Sequence, residues 1–279
     1  MRVLMAILAA LPFVACPSAS SGKEESSIIL TIPPLLAAHS RSTERSDWWR
    51  PKPGTSWQWQ LSGTIDTSVA VAMYDIDFET PISLIAELHA QGKKVICYMS
   101  AGSWEEYRAD ADQYPAVILG DPLAGWPDER WVDIRRLDIL GPIIEARMDI
   151  AVARGCDGIE PDNVDAYQND SGFPLAYQDQ IAFNKWLARE AHERKLSVGL
   201  KNDLDQVADL EPFFDWALNE ECFQYNECDP LRTFVNAGKA VFGVEYAGEP
   251  GTFCPAANAR NFDWLQKRVE LDAWRTACR

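Results

Sequence analysis

Residues 158–170 read GIEPDNVDAYQND, and four acids, Glu160, Asp162, Asp165 and Asp170, crowd behind a short apolar run. Comparable polar endings close other apolar runs: YDID with Asp75 and Asp77, YMSAGSWE with Tyr98, LKND with Lys201 and Asn202, NEE with Glu220 and Glu221, and VEYAG with Tyr246. Neighbouring carboxylates repel, and burial disfavours their charged form. Two chemistries use such a group of acids. A carboxyl pair whose proton affinities are split cleaves a glycosidic bond, one member as acid and the other as nucleophile or base. Alternatively, the oxygens hold a divalent cation.

Other residue types narrow the choice. The three histidines are His39, in the lead-in, and His89 and His192, in helical patterns away from any strand end. That leaves no support for Ser-His-Asp hydrolysis or histidine-ligated zinc. No C-x-x-C occurs. The run beginning at Asp162 has Tyr167, not glycine, at the sixth loop position and Phe173, not glutamate, at the twelfth, so it fails the EF-hand template. Neither a metal nor a cofactor is expected. The net charge of −16 opposes nucleic acid and anionic lipid and suits a cationic or neutral partner. Among 11 tryptophans, Trp57, Trp59, Trp104, Trp126 and Trp131 lie near strand starts or loops. Flat rings stack on sugar faces, and core packing is the competing use. Trp104, just after a strand-like run, is the preferred stacking candidate.

Positioning these groups requires a scaffold. From residue 56 onward, β-branched and aromatic runs alternate with helical patterns, the signature of βα units. Eight strands are expected, at 56–62, 68–75, 93–100, 130–134, 157–162, 196–202, 215–220 and 239–247. TPISLIAELHAQG and GPIIEARMDIAVARG read as helices that open near proline and close on glycine. ARNFDWLQKRVELDAWRTACR reads as a final covering helix. Eight such units imply a single-domain (β/α)8 TIM barrel, whose C-terminal strand ends would gather the acids around one pocket. The alternative is a doubly wound open sheet, and no G-x-G-x-x-G follows the first strand to favour dinucleotide binding.

Residues 1–16 read as a signal peptide: Met1 and Arg2 precede a short apolar run that ends in FVAC. Cys16 in that setting suits a lipidated first residue attached to a membrane, with plain secretion as the alternative. Residues 17–55 read as linker and lead-in, and 56–279 as the barrel. Export to an oxidising compartment suits the six remaining cysteines. Cys222 is expected to pair with Cys228 and Cys254 with Cys278, while Cys97 sits in a strand-like run and is expected to be simply buried.

The segments WQWQLSGTID, YDIDF, KKVICYMSAGSWEEYR, WVDIR, GCDGIEPDNVD, LKND and ALNEECF together resemble glycoside hydrolase family 114, the endo-α-1,4-polygalactosaminidases. The resemblance runs from about Trp57 to Gly248. It implies a barrel that cuts galactosamine-containing polysaccharide internally with two carboxyl groups. Asp162 matches one, and the glutamate of ALNEECF, assigned to Glu220, matches the other. Glu221 is the less favoured neighbour, because successive strand residues face opposite ways. Asp162 is read as nucleophile and Glu220 as general acid/base, with exchange of roles left open. Asp75 and Asp77 are expected to bind substrate or to cap the next helix. Glu160 contacts sugar or supports the barrel, and Asn163 touches substrate or supports Asp162. Lys201 and Asn202 end a strand where lysine would hold Asp162 ionised, and Tyr98 and Tyr246 line the pocket. A partly deacetylated galactosaminan is a polycation, in keeping with an acidic protein. The competing function is a carbohydrate-binding lipoprotein on the same barrel.

Overall fold

The structure, a computed structural model, describes residues 48–279. The expected signal segment, Cys16, His39 and the lead-in up to residue 47 lie outside the described residues. Eight parallel strands follow one another around the sheet: β1 (Trp57–Gln60), β2 (Met73–Asp77), β3 (Lys94–Ser100), β4 (Gly158–Asp162), β5 (Ser197–Lys201), β6 (Trp216–Glu220), β7 (Val241–Glu245) and β8 (Asp263–Gln266). Each pairs with the next in parallel register. The Trp57 indole donates to the Asp263 carbonyl at 2.9 Å, and the Leu61 and Ser62 amides donate to the Leu271 carbonyl, so the first strand is tied to the last. The fold is the (β/α)8 barrel, not the doubly wound sheet.

Side chains alternate across each strand, and the inward set changes character with height. Trp57, Met73, Ile96, Trp216, Phe242 and Leu265 form an apolar plug. Glycine at 199 makes room for it, since a Cβ there would sit 2.4 Å from the Trp216 ring. Above the plug, the inward positions at the C-terminal ends are polar. The helices α1 (Ile82–Ala90), α2 (Leu137–Arg154) and α3 (Tyr177–Glu193) cover the outside. Gly155 ends α2 in the left-handed conformation, φ 92°, as its position predicts.

Two of the expected elements are corrected. The run 130–134 is not a barrel strand. Trp126–Val132 pairs antiparallel with Leu119–Leu123 on one side and Ser103–Glu105 on the other, in a separate three-stranded sheet. β3 therefore pairs directly with β4, Ser100 opposite Asp162. The aromatic, alternating pattern was read as a strand correctly, but pattern alone does not say which sheet a strand joins. The missing eighth strand is β8, inside the segment expected to be a covering helix. The helix Pro250–Ala259 stops just before it, where Asn261 turns left-handed at φ 60°, and Asp263–Gln266, with its first three residues buried, completes the barrel.

Three disulfides, Cys97–Cys156, Cys222–Cys228 and Cys254–Cys278, use all six cysteines among the described residues. Cys97 is thus bridged as well as buried. His89 and His192 pack beside Asp157 and Asp215 on the outer shell, away from the polar mouth.

Candidate active site

β4, β5 and β6 deliver Asp162, Lys201 and Glu220 at their last residues. Immediately beyond, Asn163, Asn202, Asp203 and Glu221 take left-handed backbone, with φ of 61°, 47°, 45° and 62°. That conformation is uncommon outside glycine and concentrates where the fold forces a sharp exit. After β4 the exit is crowded, since a Cβ on Gly102 would fall 1.7 Å from the Asn163 carbonyl oxygen. Glycine at 102 lets the loop after β3 pass over the end of β4.

The Lys201 ammonium is buried among three carboxylates and lies over the Trp59 ring at 4.7 Å. Its Nζ is 3.0 Å from Glu160 Oε1, 3.0 Å from Asp162 Oδ1 and 3.3 Å from Glu220 Oε2. Burial lowers its proton affinity, but Asp162, Glu160 and Glu220 more than reverse this and hold its pKa well above the usual lysine range. Asp162 Oδ1 and Glu220 Oε2, at 3.0 and 3.3 Å from one nitrogen, are separated by no more than the sum of those two distances, 6.3 Å. Asp162 also accepts from the Tyr98 hydroxyl at 3.2 Å. Glu220 accepts from Asn202 Nδ2 at 3.1 Å and, through Oε1, from the Tyr246 hydroxyl. Burial pushes the Tyr98 and Tyr246 pKa values upward, so both hydroxyls stay donors.

Three adjoining hollows of about 390, 500 and 510 Å³ share Trp126 and Glu220 in their walls. Asp162 and Lys201 line the first and third, and Asn163 lines the first. The second is walled by Asp165, Asp203, Asp205, Glu221 and Glu227 and has no basic side chain. Burial, reinforced by Asp162, pushes Asp165 up to about 6; burial, reinforced by Asp165, pushes Asp203 up to about 9. The third hollow is more apolar, with Trp59, Leu61, Tyr98 and Leu271. The three hollows form a groove extending to both sides of Glu220.

Asp162, Glu220, Tyr98, Asn163, Lys201, Asn202 and Tyr246 thus come together. Asp77 faces the third hollow but is neutralised by Arg108, with Nη2 to Oδ2 at 2.7 Å, and accepts the Glu79 amide at 2.8 Å ahead of α1. Its place fits capping and an ion pair better than substrate capture. Asp75 and Glu160 are fully buried under the floor and line none of the hollows. Trp104 also misses the groove: it packs on the outer core and its indole donates to the Ala111 carbonyl at 3.0 Å. Trp126, 53% exposed, is the tryptophan present in all three walls.

Glu129 escaped the sequence reading. It lies on the antiparallel insert, accepts the Ser103 hydroxyl at 2.7 Å and lines the third hollow. Burial pushes it up to about 7, against the opposing pull of Ser103 and with help from Glu105 and Asp162. A carboxyl in WPDERWV carried no signal beyond its proximity to tryptophan. The insert is anchored by buried arginines. Arg108 pairs with Glu105 and Asp77, and Arg147 of α2 pairs with Asp110 at 2.7 Å and Glu105 at 3.1 Å. Among the described residues, no group of three or more His, Cys, Asp or Glu side chains is spaced to hold a metal ion.

The sequence profile of glycoside-hydrolase family GH114 matches residues 38–279. The crystal structure of Aspergillus fumigatus Ega3 in complex with galactosamine is 40% identical, superposes with a TM-score of 0.79, and is covered over 97% of its chain and 82% of this one. The glycoside hydrolase domain of PelA from Pseudomonas aeruginosa shares the fold at 12% identity and a TM-score of 0.64, over 98% of that chain and 80% of this one. An uncharacterized protein of Deinococcus radiodurans is 30% identical over 194 residues, which are 60% of this chain and 61% of that relative's length.

Proposed function

Since the chain belongs to glycoside-hydrolase family GH114 and is a glycoside hydrolase, we propose that it cleaves α-1,4-linked galactosamine-containing polysaccharide internally, with Asp162 as nucleophile and Glu220 as general acid/base. The observation that carries this reading is the shared ammonium. It keeps one Asp162 oxygen and one Glu220 oxygen within 6.3 Å of each other, so both carboxyl groups can reach a single glycosidic bond. We propose the retaining route. An Asp162 oxygen bonds to the anomeric carbon as the bond from that carbon to the leaving oxygen breaks, and Glu220 protonates that oxygen. Water then attacks the same carbon, gives its proton to Glu220 and frees Asp162. The product keeps the anomeric configuration of the substrate.

Substrate class is argued from three features. Ega3 was crystallised with galactosamine. The acid-walled hollow suits ammonium groups, and the net charge of −16 draws a polycation in. A groove open on both sides of Glu220 accommodates chain on either side of the scissile bond. The disulfides fit a secreted protein, with export through residues 1–16 and lipid on Cys16 as the proposed route.

The test incubates the protein with de-N-acetylated and fully acetylated galactosaminan and measures new reducing ends, with and without EDTA. Internal cleavage of the deacetylated polymer that survives EDTA is expected. Asp162→Asn and Glu220→Gln should each lower turnover at least about 10³-fold with the fold intact. Near-normal turnover in either variant would reject the assignment.

A further inference from the structure

Under the floor of the groove, Asp75 of β2 faces Glu160 of β4 within hydrogen-bonding reach, and both are fully buried. Neither oxygen of Asp75 has a hydrogen-bond partner, and neither does Glu160 Oε2. Glu160 Oε1 accepts from Lys201 at 3.0 Å. Two carboxylates facing each other would leave three buried acceptors with no donor, an arrangement proteins avoid. One proton between the two groups satisfies two of the three and removes the repulsion between the carboxylates.

We propose that Asp75 is a positioning residue that holds this proton and donates it to Glu160 Oε2, leaving Glu160 ionised beneath Lys201. The charged groups around it are Glu160 and Asp162 on β4 and Lys201 on β5. The register neighbours of Asp75, Trp59 on β1 and Ile96 on β3, bring no charge. Lys201 bonds Glu160 directly, which favours charge on Glu160 and the proton on Asp75. Burial, then the Glu160 charge, pushes Asp75 well above the carboxylate range. Burial pushes Glu160 only to about 7 because Lys201 opposes it.

The consequence runs upward through the barrel. An ionised Glu160 anchors the ammonium that also reaches Asp162 and Glu220. Without the Asp75 proton, Glu160 would need one of its own, and Lys201 would lose its lower anchor. Asp75 never touches substrate in this scheme; its influence on catalysis rests on the hydrolase reading above.

Infrared spectroscopy and kinetics of Asp75→Asn and Asp75→Ala test the proposal. Carboxylic-acid C=O absorption above pH 7 should contain an Asp75 component, additional to that of Asp203, which is absent from the spectra of both variants. Asparagine replaces the O–H donor with N–H, so Asp75→Asn should retain most of kcat and an unshifted pH profile. Asp75→Ala removes the donor and should lower kcat roughly 10- to 100-fold at similar KM, with a displaced profile. Absence of an Asp75-dependent band overturns the proposal. So does loss in Asp75→Asn equal to that in Asp75→Ala, or wild-type behaviour in Asp75→Ala. Should Asp75→Ala fail to fold, the band and Asp75→Asn still decide. The spectrum requires no turnover, so an error in the proposed substrate would leave that arm intact.

Discussion

Replacing Lys201 with methionine removes one positive charge from the centre of three acids while keeping most of the side-chain volume. The ammonium donates to Glu160 at 3.0 Å and forms ion pairs with Asp162 and Glu220 at 3.0 and 3.3 Å. An opposite charge at such range favours a carboxylate over its acid by roughly 1–3 pK units, or about 1.4–4 kcal/mol. Burial pushes Glu160 up to about 7 even with Lys201 opposing it, so without the ammonium Glu160 keeps its proton to higher pH, and Asp162 and Glu220 lose the cation they share. At pH 7, kcat/KM should fall about 10- to 1,000-fold. The assay is reducing-end release from deacetylated galactosaminan between pH 4 and 9, with wild type run in parallel to cancel titration of the polymer amines and circular dichroism to confirm folding. A folded variant with near-wild-type kcat/KM at pH 7 would refute the reasoning.

Two further outcomes are expected. Trp126→Ala should raise KM for the polymer about 5- to 20-fold and change kcat less, because an exposed ring shared by all three hollows binds chain without touching the reacting atoms; steady-state kinetics on the polymer checks this. Glu129, pushed up to about 7 from an ordinary 4.5, keeps a proton in the folded protein that the unfolded chain has already released. Its contribution to stability therefore falls as pH rises from about 4.5 through 7. Glu129→Gln, neutral throughout, should gain in Tm over wild type at pH 8 but not at pH 4, which thermal melts at both values measure.

The barrel was legible because its strands carry β-branched and aromatic runs, α1 opens after proline, α2 closes on glycine although it starts at Leu137 and carries Pro142 inside, and its acids stand at strand ends. Asp162, Lys201 and Glu220 could be placed on one rim for that reason alone. What failed depended on relations between strands. Trp126–Val132 has strand chemistry, yet its partners are the loop segments beside it. Asp263–Gln266 is only four residues long, within a stretch whose apolar spacing also suits a helix. Asp75 and Asp77 are two residues apart on one strand, but one lies beneath the floor and the other meets Arg108, because depth in a barrel depends on stagger that a single strand does not encode. Trp126 displaced Trp104 for a similar reason: the insert folds back and carries its tip over the groove.

The antiparallel insert leaves and rejoins the barrel at nearly one point, where the Val132 amide donates to the Gly102 carbonyl at 3.0 Å. It contributes no stave to the eight-stranded ring, yet it supplies Trp126 and Glu129 to the groove. Such an attachment behaves as a cassette. Exchanging it would replace those two groove residues while Asp162, Lys201 and Glu220 stay on their own strands.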